Sequence, residues 1–230
     1  MKQPNGRKLK KQQVVTLPIN RPTLTPKTER QKLYLNALKT SSQTIVLGPA
    51  GTGKTYIAAS YAAQMYLEKN IDKIVITRPH VSVGKDLGFL PGSVLEKTTP
   101  WAMPTLDVLE HWMGPGMLET GIKNNNIEIA PLALMRGRSF ENSFIIVDEA
   151  QNITTHEIKM LLTRVAEGSR IVLNGDVQQS DLKSANGLAK IVELSRKYDV
   201  TVPVIEFTID DVVRSDICKR WIQIFMNEKM

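Results

Sequence analysis

Short apolar runs recur along this chain at 44–47 (TIVL), 73–77 (KIVIT), 127–130 (IEIA), 144–147 (FIIV), 170–173 (RIVL) and 204–207 (VIEF). Each spans only four or five residues and is rich in β-branched side chains. Most are nearly continuous in hydrophobicity rather than alternating, which is the pattern of strands buried on both faces of a parallel sheet. Between them, helical spacing appears at 54–67, 155–165 and 186–197, and again from about 215 onward. A further amphipathic helix is predicted from Thr28, its N-cap, to about Leu38, with Leu33, Ala37 and Leu38 as its apolar positions. Strand and helix in alternation predict an α/β fold with a mostly parallel sheet covered by helices on both faces. Residues 79–125 break the rhythm with Gly and Pro punctuation around one predicted helix at 99–113. A connection of that length is expected to be a functional insertion within a single domain over residues 29–230.

Composition changes this picture little, but charge divides the chain. The net charge is +7, and residues 1–28 hold seven basic side chains (Lys2, Arg7, Lys8, Lys10, Lys11, Arg21, Lys27) and no acid. Without them, 23 basic residues face 23 acidic ones, so the high isoelectric point describes the leading segment. That Pro-containing segment reads as an extension with little structure of its own, and it is either a solvated leader or a basic arm for a polyanion. The only cysteine, Cys218, excludes an intrachain disulfide and fits a reducing, cytoplasmic setting. No apolar run approaches the roughly 18 residues of a membrane span, and Val14–Ile19 is too short for a signal-peptide core, so no membrane association is expected.

Candidate chemistry begins where the first predicted strand ends. Gly48-Pro49-Ala50-Gly51-Thr52-Gly53-Lys54-Thr55 matches G-x-x-x-x-G-K-[ST] between a strand and a helix, the context this phosphate-binding loop requires. Glycines let successive backbone N–H groups converge on phosphate, and the helix N-terminus adds partial positive charge. Lys54 is expected to reach the β- and γ-phosphates and Thr55 to place its hydroxyl on Mg²⁺, with the adjoining Tyr56 beside the nucleotide. The run FIIV then delivers Asp148 to a strand end, where a carboxylate can hold Mg²⁺, followed by Glu149. A second carboxylate there suits hydrolysis, which needs a group to orient and deprotonate water. A third strand ends in Asn174-Gly175-Asp176, whose polar groups can either touch the γ-phosphate or form an ordinary turn.

With those motifs in place, DEAQ (148–151) followed by GDVQQ (175–179) resembles motifs II and III of superfamily-1 helicases. More specifically, the chain is similar to the PhoH family of P-loop ATPases. The matching segments are GPAGTGKT (48–55), TRPHVSVGKDLGFLPG (77–92), APLALMRGR (130–138), IIVDEAQN (145–152), LTR (162–164), NGDVQQSDL (174–182) and EFTIDDVVRS (206–215). The resemblance implies a RecA-like P-loop NTPase core, hydrolysis of ATP with Mg²⁺, a hexameric ring and a link to RNA. It implies adenine reading by Gln31, γ-phosphate sensing by Gln179 and a γ-phosphate contact from Arg214. Thr77 and Arg78 fall where such enzymes touch the nucleic-acid backbone, with Arg78 equally placed for a structural ion pair. Asn174 stands where the family is expected to prefer threonine.

Helicases place nucleotide between two such modules, and this chain has length for one. A neighbour in a ring can supply the missing arginine, since heterologous head-to-tail contacts close into cyclic assemblies. Arg136 and Arg138 are the candidates, with Arg164 as a third. The resulting expectation is a ring-shaped ATPase remodelling RNA or single-stranded nucleic acid. The alternatives are a nucleotide-dependent interaction module with slow hydrolysis, and a small-molecule kinase in which Arg136 and Arg138 are lid residues. Trp101 and Trp112 are open to base stacking or to helix packing, with packing favoured.

Overall fold

A computed structural model describes residues 22–79, 94–176 and 186–228. The helices are α1 (Glu29–Thr40), α2 (Lys54–Leu67), α3 (Val94–Met113), α4 (Pro115–Lys123), α5 (Thr155–Leu162), α6 (Gly187–Lys197) and α7 (Asp216–Glu228). The strands are β1 (Gln43–Leu47), β2 (Lys73–Thr77), β3 (Ile127–Ile129), β4 (Ser143–Val147), β5 (Arg170–Gly175) and β6 (Val204–Glu206). They form one sheet in the order β3-β2-β4-β5-β1-β6, and the five pairings between these strands are all parallel.

The apolar runs are explained by where alternate residues point. Along β4, Phe144 and Ile146 enter a core shared with α1, α2, α3 and α4, whereas Ile145 and Val147 enter a second core with α5 and α6. A strand whose two faces are both covered has no solvent side on which to place a polar residue. α2 lies on the first face and is buried nearly all round through small side chains such as Ala58, Ala59, Ala62 and Ala63.

Three expectations are corrected. The buried face of α1 is formed by Gln31, Tyr34, Leu35, Ala37 and Leu38, while Leu33 is 61% exposed. The insertion is more helical than its punctuation suggested: α3 begins at Val94, and a second helix, α4, starts with Pro115 at its first turn, where a missing N–H is harmless. It also packs as core, since Ala102, Leu106, Leu109 and Trp112 join the first cluster and Trp101 packs against it. Asn174 and Gly175, open to a turn reading, belong to β5.

No helix among the described residues is long and apolar enough to cross a membrane. The basic segment up to residue 21 and the central part of the insertion, 80–93, lie outside the described residues.

Candidate functional site

The C-terminal ends of β1, β4 and β5 meet at a cleft of about 770 Å³ lined by Lys54, Thr55, Asp148, Glu149, Asn174 and Arg214, among others. That volume lies within the range of small-molecule and cofactor sites. β5 separates β1 from β4, so the glycine loop and the paired carboxylates face one another across one intervening strand.

The loop leaves β1 at Gly48, whose φ is +134° and whose hypothetical Cβ would lie 2.6 Å from the Phe207 carbonyl oxygen. Only glycine permits both that backbone and that approach. Gly51 and Gly53 also have positive φ, and Gly53 directly precedes α2. Lys54 Nζ donates to the carbonyls of Gly48 (2.5 Å) and Pro49 (2.9 Å). Burial pushes the Lys54 ammonium below its ordinary pKa, while Asp176, Asp148 and Glu149 pull it back up.

Thr55 Oγ1 donates to Asp148 Oδ1 at 3.1 Å, which joins the first turn of α2 to the end of β4. Burial raises the pKa of Asp148 and the Glu149 charge adds to it, whereas the Thr55 hydroxyl, Arg78 and Lys54 oppose the rise. Glu149 follows with φ +52°, a left-handed backbone that few non-glycine residues adopt. Pro49, Ala50 and Thr52 complete the loop; Thr52 is fully buried and its hydroxyl donates to the Pro49 carbonyl at 3.0 Å. Tyr56 is half-exposed at the cleft.

α1 braces this loop from one side. Gln31, 4% exposed, donates from Nε2 to the Thr52 carbonyl (2.9 Å) and accepts the Lys27 N–H on Oε1 (2.7 Å). Both ends of its amide are thus engaged by the chain itself, at the margin of the cleft. Arg30 donates to the Glu206 carbonyl and pairs with buried Asp211 at 3.4 Å. That pair fixes the segment in which the Val213 N–H donates to the Gly51 carbonyl at 2.9 Å, so Arg214 stands beside the loop within its own subunit.

The other arginines are placed elsewhere. Arg138 forms two bonds to Glu128 on β3 (2.6 and 2.8 Å) and lies over the Phe140 ring. β3 is four strand spacings from β1, roughly 19 Å, so this pair does not reach the glycine loop of its own chain. Arg136 meets the His156 ring at 3.0 Å. Arg164 holds the segment that precedes β4, its carbonyl accepting the Phe140 N–H, and so lies toward the opposite edge of the sheet. Thr77 is fully buried, its hydroxyl without a partner among the described residues, so it is not at the surface. Gln179 lies outside the described residues.

Two residues to which sequence reasoning gave no role complete the arrangement. Tyr34, fully buried, has its one hydroxyl proton shared between Asn174 Oδ1 (3.1 Å) and the Lys54 carbonyl (3.3 Å). Its one signal was a position three residues after Gln31 on the same helix face. Gln151, 2% exposed, bonds Glu149 at 2.6 Å and the Asp176 N–H at 3.0 Å. It was visible only as the last letter of DEAQ.

A family model described as PhoH-like protein matches residues 23–226. This chain belongs to the PhoH-like family. It is 40% identical over 196 residues to Protein PhoH of Escherichia coli (strain K12), covering 84% of this chain and 55% of that protein. To a PhoH-like protein of Mycobacterium tuberculosis (strain ATCC 25618 / H37Rv) it is 42% identical over 194 residues, with 84% and 55% covered. The PhoH-like chain therefore spans little more than half the length of these curated relatives. Its fold resembles that of the large terminase from a thermophilic bacteriophage, solved in complex with ATP-gamma-S. The TM-score is 0.51 at 13% identity, covering 85% of this chain and 48% of that one. The fold is thus that of a RecA-like P-loop NTPase, and PhoH-like membership carries nucleotide-binding capability with it.

Proposed function

We propose that this PhoH-like chain is a Mg²⁺-dependent ATP hydrolase that acts on RNA or single-stranded nucleic acid as a ring, six copies in number. The observation that carries the hydrolytic part is the 3.1 Å bond between Thr55 and Asp148, with Glu149 as the next residue beside the glycine loop. A hydroxyl and one carboxylate in contact are a suitable donor set for Mg²⁺, which takes oxygen ligands and completes its shell with phosphate and water. Thr55 and Asp148 would hold the ion, which would supply positive charge against the phosphates of the nucleotide.

The chain's own groups do the rest. Backbone N–H groups of residues 51–55 cradle the phosphates, and Lys54 reaches the terminal ones. Glu149 orients a water in line with the γ-phosphorus and takes its proton as the new P–O bond forms. The bond to the β-phosphate oxygen then breaks, releasing ADP and phosphate. Arg214 supports the γ-phosphate from within the subunit. Arg136, which is not held in a two-bond pair as Arg138 is, is the better candidate to serve a neighbour's site. Exposed apolar side chains on α7, such as Ile217 (66%) and Trp221 (52%), support association, since such surfaces mark protein contacts.

The test is phosphate release with and without single-stranded RNA, together with the mass in solution. The expected result is turnover raised by RNA in a particle of six copies. Phosphate that appears only when an acceptor metabolite is added would indicate a kinase. A hexamer with negligible turnover under every condition would indicate an interaction module.

A further inference from the structure

Gln151 sits in the 3-10 turn Ala150–Asn152 that follows Glu149, buried between two strand ends. Its side chain touches both. Oε1 accepts the backbone N–H of Asp176, immediately beyond β5, at 3.0 Å. Nε2 donates to Glu149 Oε2 at 2.6 Å. The orientation of the amide follows from chemistry: a backbone N–H can only donate and a carboxylate can only accept, so a reversed amide would set like against like at both ends. The approach depends on Gly175. A Cβ there would lie 2.9 Å from the Gln151 backbone nitrogen and 3.0 Å from Oε1.

β4 and β5 are already joined by their ladder, from Phe144–Arg170 to Val147–Leu173, so the bond to Glu149 is not needed to hold the strands together. What it does is occupy one oxygen of a half-buried carboxylate at the cleft and leave the other, Oε1, with no hydrogen bond from the described residues. A carboxylate held by one oxygen presents the second in a fixed direction. The left-handed backbone of Glu149 sets where that side chain starts, and Gln151 sets where it ends.

We propose that Gln151 is a positioning residue that aims the free oxygen of Glu149 at the attacking water and ties that aim to the end of β5. The proposal rests on the reading of Glu149 as the group that activates water. The ionisable groups around the pair are Asp148 beyond β4, Lys54 on α2, Asp176 beyond β5 and Arg214, with Arg78 acting on Asp148 from the end of β2.

Two variants separate aiming from bracing. Gln151→Glu keeps the acceptor for Asp176 but sets a second carboxyl against Glu149. Gln151→Met keeps the bulk and removes the donor. Both are to be compared with wild type and Glu149→Gln in ATP turnover and in ADP affinity. At about pH 8, kcat should fall by about 10- to 100-fold in both, a part of the roughly 10²–10⁴ that a positioned base contributes. KM for ATP should stay within about threefold, because the lost interaction acts on the chemical step. The proposal is overturned if kcat in both variants stays within about twofold of wild type, or if the loss appears in ADP affinity or KM instead. Full turnover by Glu149→Gln would remove the underlying reading and this proposal together. An inactive Glu149→Gln beside fully active Gln151 variants would remove this proposal alone.

Discussion

Tyr34 is a polar side chain with no exposure, and its hydroxyl bonds the amide oxygen of Asn174, itself fully buried inside β5. The Asn174 amide nitrogen has no partner among the described residues, so the Tyr34 bond is the side chain's anchor. Burial also drives the Tyr34 pKa well above its ordinary value, which keeps the phenol neutral and donating. Tyr34→Phe should therefore destabilise the protein by about 1–3 kcal/mol, the cost of orphaning a buried polar group. A urea midpoint unchanged from wild type would show that Asn174 finds another donor. This pair marks the limit of sequence reading at the residue scale. The glycine loop, Asp148 and Glu149 were legible because their chemistry depends on local spacing. Tyr34, Asn174 and Gln151 depend on contacts between segments that the fold alone brings together, 140 residues apart for Tyr34 and Asn174.

Among the elements, the core strands were the most legible, because a strand buried on both faces must be apolar along its length. α1 was placed correctly but rotated: its inward face includes Gln31 and Tyr34, whose polar atoms are satisfied by the loop and by β5, so hydrophobicity alone pointed the helix wrongly. α4 was missed because Pro115, Gly116 and Gly121 resemble loop punctuation, although proline suits a first helical turn. β3 is a three-residue edge strand, and Glu128 anchors it through Arg138 and Lys73. The Arg138 bonds foremost, then Lys73, hold the Glu128 carboxyl at about 2 against an ordinary 4.5. A depressed carboxyl pKa favours the folded state wherever the group is charged. That stability is present above about pH 4.5 and is lost as pH falls toward about 2. Denaturation midpoints should fall over this window in wild type, and Glu128→Gln should flatten the fall. An equal slope in both proteins would contradict the assignment.

At the scale of the molecule, the parallel sheet gathers the ends of β1, β4 and β5 at one edge, so residues from 50 to 176 that are remote in sequence meet in one cleft. Strand order could not be read from the strands one by one, and with it went the fact that β5 stands between the glycine loop and the acidic pair. The same geometry sets Arg138, held on Glu128 of β3, at the far edge of the sheet and remote from its own loop. The central claim is that this edge hydrolyses ATP through Glu149. It is tested most directly by phosphate release from ATP and Mg²⁺ with wild type and Glu149→Gln, alongside ATP binding to each. The expected result is turnover reduced by about 10²–10⁴ in the variant with binding preserved. Equal turnover in the two proteins would contradict the account.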